Sequence, residues 1–164
     1  MSTGQTMLTI AAMFLLSTLI LRSNRIFLAT SSVMFDTKFA VLGTSIATSI
    51  IEDASNKAFD QSSDTASVYN LNELTSSGLL GPEAGEVYEF FNDIDDYNGY
   101  SGVDTSMPSA KFNIDCSVYY VTSSNLNSAS SSETWNKKIT VSISSESMAD
   151  TIRMSSVFSY WFFR

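Results

Sequence analysis

Residues 1–25, MSTGQTMLTIAAMFLLSTLILRSNR, decide the fold of this chain. The first charged side chain is Arg22, and apolar residues dominate from Met7 to Leu21. A secretory signal has a positively charged start, which this stretch lacks. Its length is close to that of a membrane span once it is extended back to Gly4. A chain of this size has no room to bury such a segment internally, so lipid or other chains are expected to cover it.

The helical pattern continues beyond this stretch. No proline interrupts residues 22–60, and apolar side chains recur there at steps of three and four. The recurring positions are Phe35, Phe39, Leu42, Ile46, Ile50 and Ala54. This pattern predicts one helix from about Gly4 to Phe59. It is apolar on nearly every face over residues 4–25 and amphipathic over residues 26–60, so the first half protrudes and the second covers a domain.

The remaining residues predict a small globular head. Residues 61–80 have loop composition, and residues 86–102 form a short helical or irregular piece. Alternating apolar residues then predict three strands, AKFNIDCSVYYV (110–121), KKITVSIS (137–144) and TIRMSSVFSYWFF (151–163). The fold class is therefore α+β, with a long N-terminal helix over residues 1–60. The head, residues 61–164, contains a small antiparallel β-meander that packs on the amphipathic half of the helix.

Composition excludes several classes of function. The net charge is −8, with nine basic and 17 acidic residues, so a nucleic-acid partner would be repelled. The chain has no histidine, the usual residue of hydrolytic triads and most zinc sites. The single cysteine, Cys116, lies in an alternating strand and is expected to be a buried thiol. We therefore expect neither an enzyme nor a cofactor.

An acidic segment, FNDIDDYNGY (91–100), precedes the strands. It concentrates oxygen-bearing side chains at Asp93, Asp95, Asp96 and Asn98. Calcium prefers such oxygen ligands, although the spacing is not that of an EF-hand loop. We interpret the segment as a solvated acidic turn, with a calcium site on these four residues as the alternative.

The order of these segments resembles the type IV pilin and pseudopilin family. If the glycine that ends the family's leader is placed on Gly4, QTMLTIAAMFLLSTLIL aligns with the apolar mature start, beginning at Gln5. The acidic residue that the family carries shortly afterwards is Thr9 here. We expect an uncleaved start at Met1, with cleavage after Gly4 as the alternative. FNDIDDYNGY is similar to the Asp-rich segment of minor pilins of the mannose-sensitive haemagglutinin type.

This resemblance implies a structural subunit of an extracellular filament on the cell surface, inserted in the inner membrane before assembly. Its partners would be copies of itself in a helical polymer and the pilus or secretion assembly machinery. The bundled helix core would consist of Met7, Leu8, Ile10, Phe14, Leu15, Leu16, Leu19, Ile20 and Leu21. Two alternatives remain: a membrane-bound minor pilin or pseudopilin of a secretion or assembly system, and a single-span surface protein that does not polymerise.

Arg22 and Arg25 lie one helical turn apart and share a face of the predicted helix. They could make inter-subunit charge contacts with acidic residues such as Asp36, Glu52 or Asp53. The alternative is that both are solvated arginines at a membrane interface.

Overall fold

The computed structural model describes residues 2–162. The predicted start at Met1 and Phe163, the last residue of the third predicted strand, lie outside the described residues. The described chain divides into two compact units, one ending at Lys38 and the other beginning at Phe39. The fold is α+β, as predicted, with one long helix followed by a four-stranded antiparallel sheet.

Helix α1 spans Thr3–Ser55, so the predicted long helix is confirmed but ends four residues before Phe59. Its last turn tightens, since the amide of Asn56 donates to the carbonyl of Asp53 at 3.0 Å. Ala58 then pairs in extended conformation with the segment around Asp93. This tertiary pairing ends the helix although Lys57 and Ala58 favour helical conformation.

The sheet is a meander in the order β1-β2-β3-β4, with every neighbouring pair antiparallel. Its strands are β1 (Ser101–Asp104), β2 (Phe112–Tyr120), β3 (Asn136–Ser144) and β4 (Ile152–Ser159). Strands β2 and β3 match the first two predicted strands, and β4 lies within the third. The third prediction extends too far, because Tyr160–Phe162 form a 3₁₀ turn after β4 ends at Ser159. Strand β1 was not predicted, because its four residues include glycine, serine and aspartate and carry little strand preference. It forms by pairing with β2, for example Gly102 with Ile114.

The core of the second unit lies between one face of α1 and one face of the sheet. The buried α1 residues are Phe39, Gly43, Ala47, Ile50 and Ala54. Alternate residues of β2 and β3 face them, and the rings of Phe39 and Phe112 are 6.5 Å apart in an edge-to-face arrangement. Most of the apolar positions predicted to recur on one face of α1 do face the sheet. Its first member, Phe35, is however 50% exposed.

Short helical turns connect the larger elements. Helix α2 (Gln61–Thr65) lies within the predicted loop and is capped by Asp60, whose carboxylate accepts from the amide of Ser62. Single 3₁₀ turns span Leu71–Glu73, Tyr88–Phe90, Asp95–Tyr97 and Tyr160–Phe162. The predicted helical or irregular piece thus consists of two 3₁₀ turns followed by the beginning of β1.

Candidate functional site

The first candidate site is the apolar segment of α1 from Met7 to Leu21, which we call the assembly segment. It has ten large apolar side chains that are between 58% and 74% exposed: Met7, Leu8, Ile10, Met13, Phe14, Leu15, Leu16, Leu19, Ile20 and Leu21. Successive helix positions are rotated by about 100°, so consecutive apolar residues such as Leu19 and Ile20 occupy different faces. Apolar surface therefore surrounds the helix instead of forming one stripe.

Hydroxyl groups within the assembly segment are satisfied by the helix itself. Thr9 Oγ1 donates to the carbonyl of Thr6 at 2.9 Å, and Ser17 Oγ donates to the carbonyl of Met13 at 2.8 Å. Thr18 Oγ1 donates to the carbonyl of Leu15 at 2.9 Å. Because these side chains need no water partner, they lower the cost of placing the segment in lipid or between other helices.

The helix that contains this segment is long and apolar enough to cross a membrane, and none of its most apolar 18-residue window is buried. It is a candidate membrane anchor near the N-terminus. A core helix of a soluble domain passes the same test of length and composition, but such a helix would be mostly buried. The exposure of this window therefore distinguishes it from a core helix of the same chain.

The residues predicted for leader cleavage and for charge contacts between subunits flank the assembly segment. Gly4 and Gln5 are exposed in the first turn of α1, and Arg22 and Arg25 are exposed just beyond the segment. Asp53, one of the acids considered as a partner for the arginines, is engaged within its own chain. Its Oδ2 accepts from the hydroxyl of Tyr97 at 2.6 Å. The proposed contacts between subunits stay predictions.

A second feature, which the sequence analysis did not identify, is a buried lysine in the head. Lys137 is fully buried, and its Nζ donates to the carbonyl of Phe59 and to Oδ2 of Asp60, both at 2.8 Å. It also donates to Oδ1 of Asp95 at 2.5 Å. We call Lys137, Asp60 and Asp95 the lysine cluster. The alternation of Ile139, Val141 and Ile143, continued back by two residues, places residue 137 on the core face and could have revealed it.

Asp60 connects the lysine cluster to three other parts of the head. Its carboxylate accepts from the amide of Thr75 at 3.0 Å and from the hydroxyl of Tyr120 at 3.2 Å, in addition to the α2 cap. Burial by itself would raise the pKa of Asp60, but the charge and hydrogen bond of Lys137 outweigh it and the pKa is lowered. The carboxylate is therefore held ionised in the interior.

The acidic segment is not a solvated turn, and that interpretation is wrong. Asp93, Asp95 and Asp96 are each at most 2% exposed. Asp93 Oδ1 accepts from the amide of Asp95, and both side-chain groups of Asn98 bind backbone atoms. Burial, followed by the nearby Asp95 carboxylate, raises the pKa of Asp93 to about 9.

Lys137 Nζ donates to a carboxylate oxygen of Asp95. Its positive charge disfavours a cation at the four residues predicted to bind calcium. The calcium site on Asp93, Asp95, Asp96 and Asn98 stays a prediction. The described residues instead bring Asp96 together with Glu83 and Glu86, whose carboxylate oxygens lie within 4.8 Å of one another. We call these three residues the carboxylate cluster.

Two members of the carboxylate cluster have a raised pKa. Hydrogen bonding with the Glu86 side chain, then burial and the charges of Asp96 and Glu86, raise the pKa of Glu83 to about 7. Burial is also the main reason why the pKa of Asp96 is raised. Neither glutamate was among the predicted ligands, because ten residues separate Glu86 from Asp96 and only the folded loop joins them.

Cys116 is buried in β2, as predicted, and burial raises the pKa of its thiol to about 12. The thiol is therefore unreactive at neutral pH.

Comparison of the chain with protein-family models, with curated proteins and with solved structures finds no match.

Proposed function

We propose that this chain is a structural subunit of an extracellular filament, similar to a pilin, which polymerises by bundling its N-terminal helices. The observation that carries the proposal is the exposure of large apolar side chains all around the assembly segment. A single copy of the chain leaves this surface without cover in the described residues. Copies of the same helix could cover it symmetrically, with the acidic heads on the outside.

Keeping the assembly segment out of water contributes a large free energy. Burying one large apolar side chain contributes about 1.5 to 3 kcal/mol, so the ten side chains of the assembly segment could contribute on the order of 15 to 30 kcal/mol per subunit. This is an upper bound before the cost of ordering the subunits. The figure measures the gain relative to water; a subunit that leaves lipid for the bundle gains instead from close packing of the helices.

The same surface fits the lipid bilayer before assembly. The hydroxyl groups of the assembly segment donate to the helix backbone, so the helix can leave lipid for a bundle without losing hydrogen bonds. The subunit would therefore insert in the inner membrane first and pass into the filament through the assembly machinery. Arg22 and Arg25 would lie at the edge of the bilayer, where their long side chains reach water.

The second candidate function is a membrane-bound minor pilin or pseudopilin, or a single-span surface protein that does not polymerise. It is favoured by the length and composition of α1, which suit a simple anchor. A lipid anchor tolerates one central charge at a cost of about 2.5 to 3.5 kcal/mol, whereas a tightly packed bundle also encloses that charge without a partner. This difference separates the two functions.

The test is the variant Leu16→Asp in cells that express the full chain. Its carboxylate would be enclosed by neighbouring helices, and residues 2–21 contain no basic side chain to pair with it. We expect normal membrane insertion but at least a tenfold loss of sheared filaments at matched expression. Filament yield is measured by quantifying this chain in the sheared fraction and by negative-stain microscopy.

Two controls make the result specific. Leu16→Met keeps the volume and apolarity of the side chain and should assemble normally. Ser128→Asp adds the same charge to an exposed loop of the head and should also assemble normally. Normal filament yield from the inserted Leu16→Asp chain would show that the helix is only an anchor. Absence of this chain from wild-type filaments would favour the membrane-bound alternative.

A further inference from the structure

The carboxylate cluster is built by a tight turn that faces a buried residue. The amide of Glu86 donates to the carbonyl of Glu83 at 3.0 Å, and the amide of Glu83 donates to Oε2 of Glu86 at 3.2 Å. These two bonds bring the glutamate side chains together at the surface. Asp96 approaches them from the interior, since it is only 1% exposed.

One carboxylate oxygen of Asp96 lacks a hydrogen-bond partner. Oδ2 of Asp96 accepts from the amides of Asn92 and Asp93, at 2.9 and 3.0 Å. Oδ1 of Asp96 is buried and has no hydrogen-bond donor among residues 2–162. The side-chain oxygen of the adjoining Asn92 is buried without a donor as well. A buried oxygen without a partner is costly, so Oδ1 of Asp96 is a candidate ligand for a cation.

No lysine or arginine among residues 2–162 forms an ion pair with Glu83, Glu86 or Asp96. Lys137, which reaches the same acidic segment, already binds Asp60 and Asp95. The carboxylates of Glu83, Glu86 and Asp96 therefore lie close together without a basic partner in the described chain.

We propose that Glu83, Glu86 and Asp96 bind one calcium ion, with Oδ1 of Asp96 as the buried ligand. Calcium lies about 2.3 to 2.6 Å from its oxygen ligands, so two ligands of one ion are at most about 5 Å apart. The carboxylate oxygens of the cluster all lie within 4.8 Å of one another, which is inside this limit. Calcium accepts a flexible set of carboxylate oxygens, whereas magnesium demands near-octahedral geometry and usually keeps several waters. Zinc prefers histidine and cysteine, and the cluster has neither.

The ion would connect the turn at residues 83–86 to the 3₁₀ turn at Asp95–Tyr97, because each turn supplies at least one ligand. The second turn adjoins the lysine cluster through Asp95 and the end of α1 through the bond from Tyr97 to Asp53. Calcium binding is therefore expected to stabilise the junction between helix and sheet in the second unit.

The experiment is calcium titration of the full chain in detergent after removal of metal with a chelator. Isothermal titration calorimetry should show one calcium ion per chain, with Kd in the range of about 0.1 to 1 mM that is common for extracellular sites. The variant Glu83→Gln should weaken calcium binding at least tenfold. Glu83 is exposed, so this variant is expected to fold normally.

Glu89→Gln is the matched control, because Glu89 is an exposed glutamate in the same segment but outside the cluster. It should bind calcium within about twofold of wild type. At 10 mM calcium, Tm should rise by about 4 °C or more in wild type and in Glu89→Gln, but not in Glu83→Gln. The proposal is overturned if wild type binds no calcium at 10 mM or if Glu83→Gln binds as tightly as wild type. Equal affinity for magnesium would overturn the assignment of calcium.

Discussion

At the scale of single residues, Lys137 has the largest consequence for the head. A lysine in the core is costly unless its charge is paired and its donors are satisfied. Lys137 meets both conditions through Asp60, Asp95 and the carbonyl of Phe59. It thereby joins β3 to the residues that follow α1 and to the acidic segment, which are far apart in sequence.

We predict that Lys137→Met lowers the free energy of unfolding of the head by about 3 to 5 kcal/mol, because the carboxylates of Asp60 and Asp95 stay buried without a cation. The measurement is urea unfolding followed by tryptophan fluorescence. Trp135 is a suitable probe, since it stacks on Tyr160 at 5.2 Å.

The matched control for this prediction is Lys138→Met. Lys138 is the next residue of β3 but points to the opposite face, where its Nζ binds the carbonyl of Leu126 at 3.1 Å. Its replacement should change the free energy of unfolding by less than about 1 kcal/mol. If the two variants were equally stable, the lysine cluster would not be a determinant of stability.

At the scale of elements, α1 is one continuous helix whose two parts differ in the exposure of their side chains. Up to Lys38 its large apolar side chains are exposed, and from Phe39 onwards one face is buried under the sheet. Small residues on that face allow close packing. A Cβ atom at Gly43 would lie 3.4 Å from Ile143 and 3.5 Å from Ile152, which are ordinary contact distances.

This spacing predicts that Gly43→Ala is tolerated and stabilises the head by up to about 1 kcal/mol. Alanine favours the helix relative to glycine by about that amount, and its methyl group fits without displacing a neighbour. Gly43→Leu should destabilise the head by about 1 to 3 kcal/mol, because the larger side chain overpacks the interface between helix and sheet. Thermal unfolding monitored by circular dichroism distinguishes the two outcomes. A destabilised Gly43→Ala variant would contradict the spacing argument.

At the scale of the whole molecule, the division into two units has a direct consequence for folding. The buried apolar residues of the described chain all lie from Phe39 onwards. The second unit thus contains its own core, and the first unit contributes an exposed apolar surface.

We predict that a shortened chain beginning at Ser31 folds as a soluble monomer, with a Tm within about 3 °C of the full chain in detergent. It removes the assembly segment and keeps every buried apolar residue of the described chain. Light scattering after size exclusion measures the mass, and circular dichroism measures Tm. A chain beginning at Thr44 is the control and should unfold at a lower temperature, because it lacks Phe39 and Leu42. Aggregation of the longer fragment would show that residues before Ser31 are needed for the head to fold.

The sequence by itself determined the elements that arise from local patterns. The helix follows from a long stretch without proline and with helical spacing of apolar residues, and strands β2 and β3 follow from strict alternation. The apolar residues of β4 alternate less strictly, and its end was predicted less well. The exposed assembly segment could be predicted for the same reason, since a segment that is apolar on all faces exceeds what one small head can bury. The burial of Cys116 followed from its place in β2.

Only the tertiary structure decided the features that depend on distant partners. Strand β1 exists because β2 offers it backbone hydrogen bonds, and the acidic segment is buried because Lys137 supplies a charge from β3. Glu83 and Glu86 join Asp96 only after the loop folds back. The physical reason is that periodicity reports the environment of one element, whereas burial of a charge depends on a counter-charge that chain folding brings close.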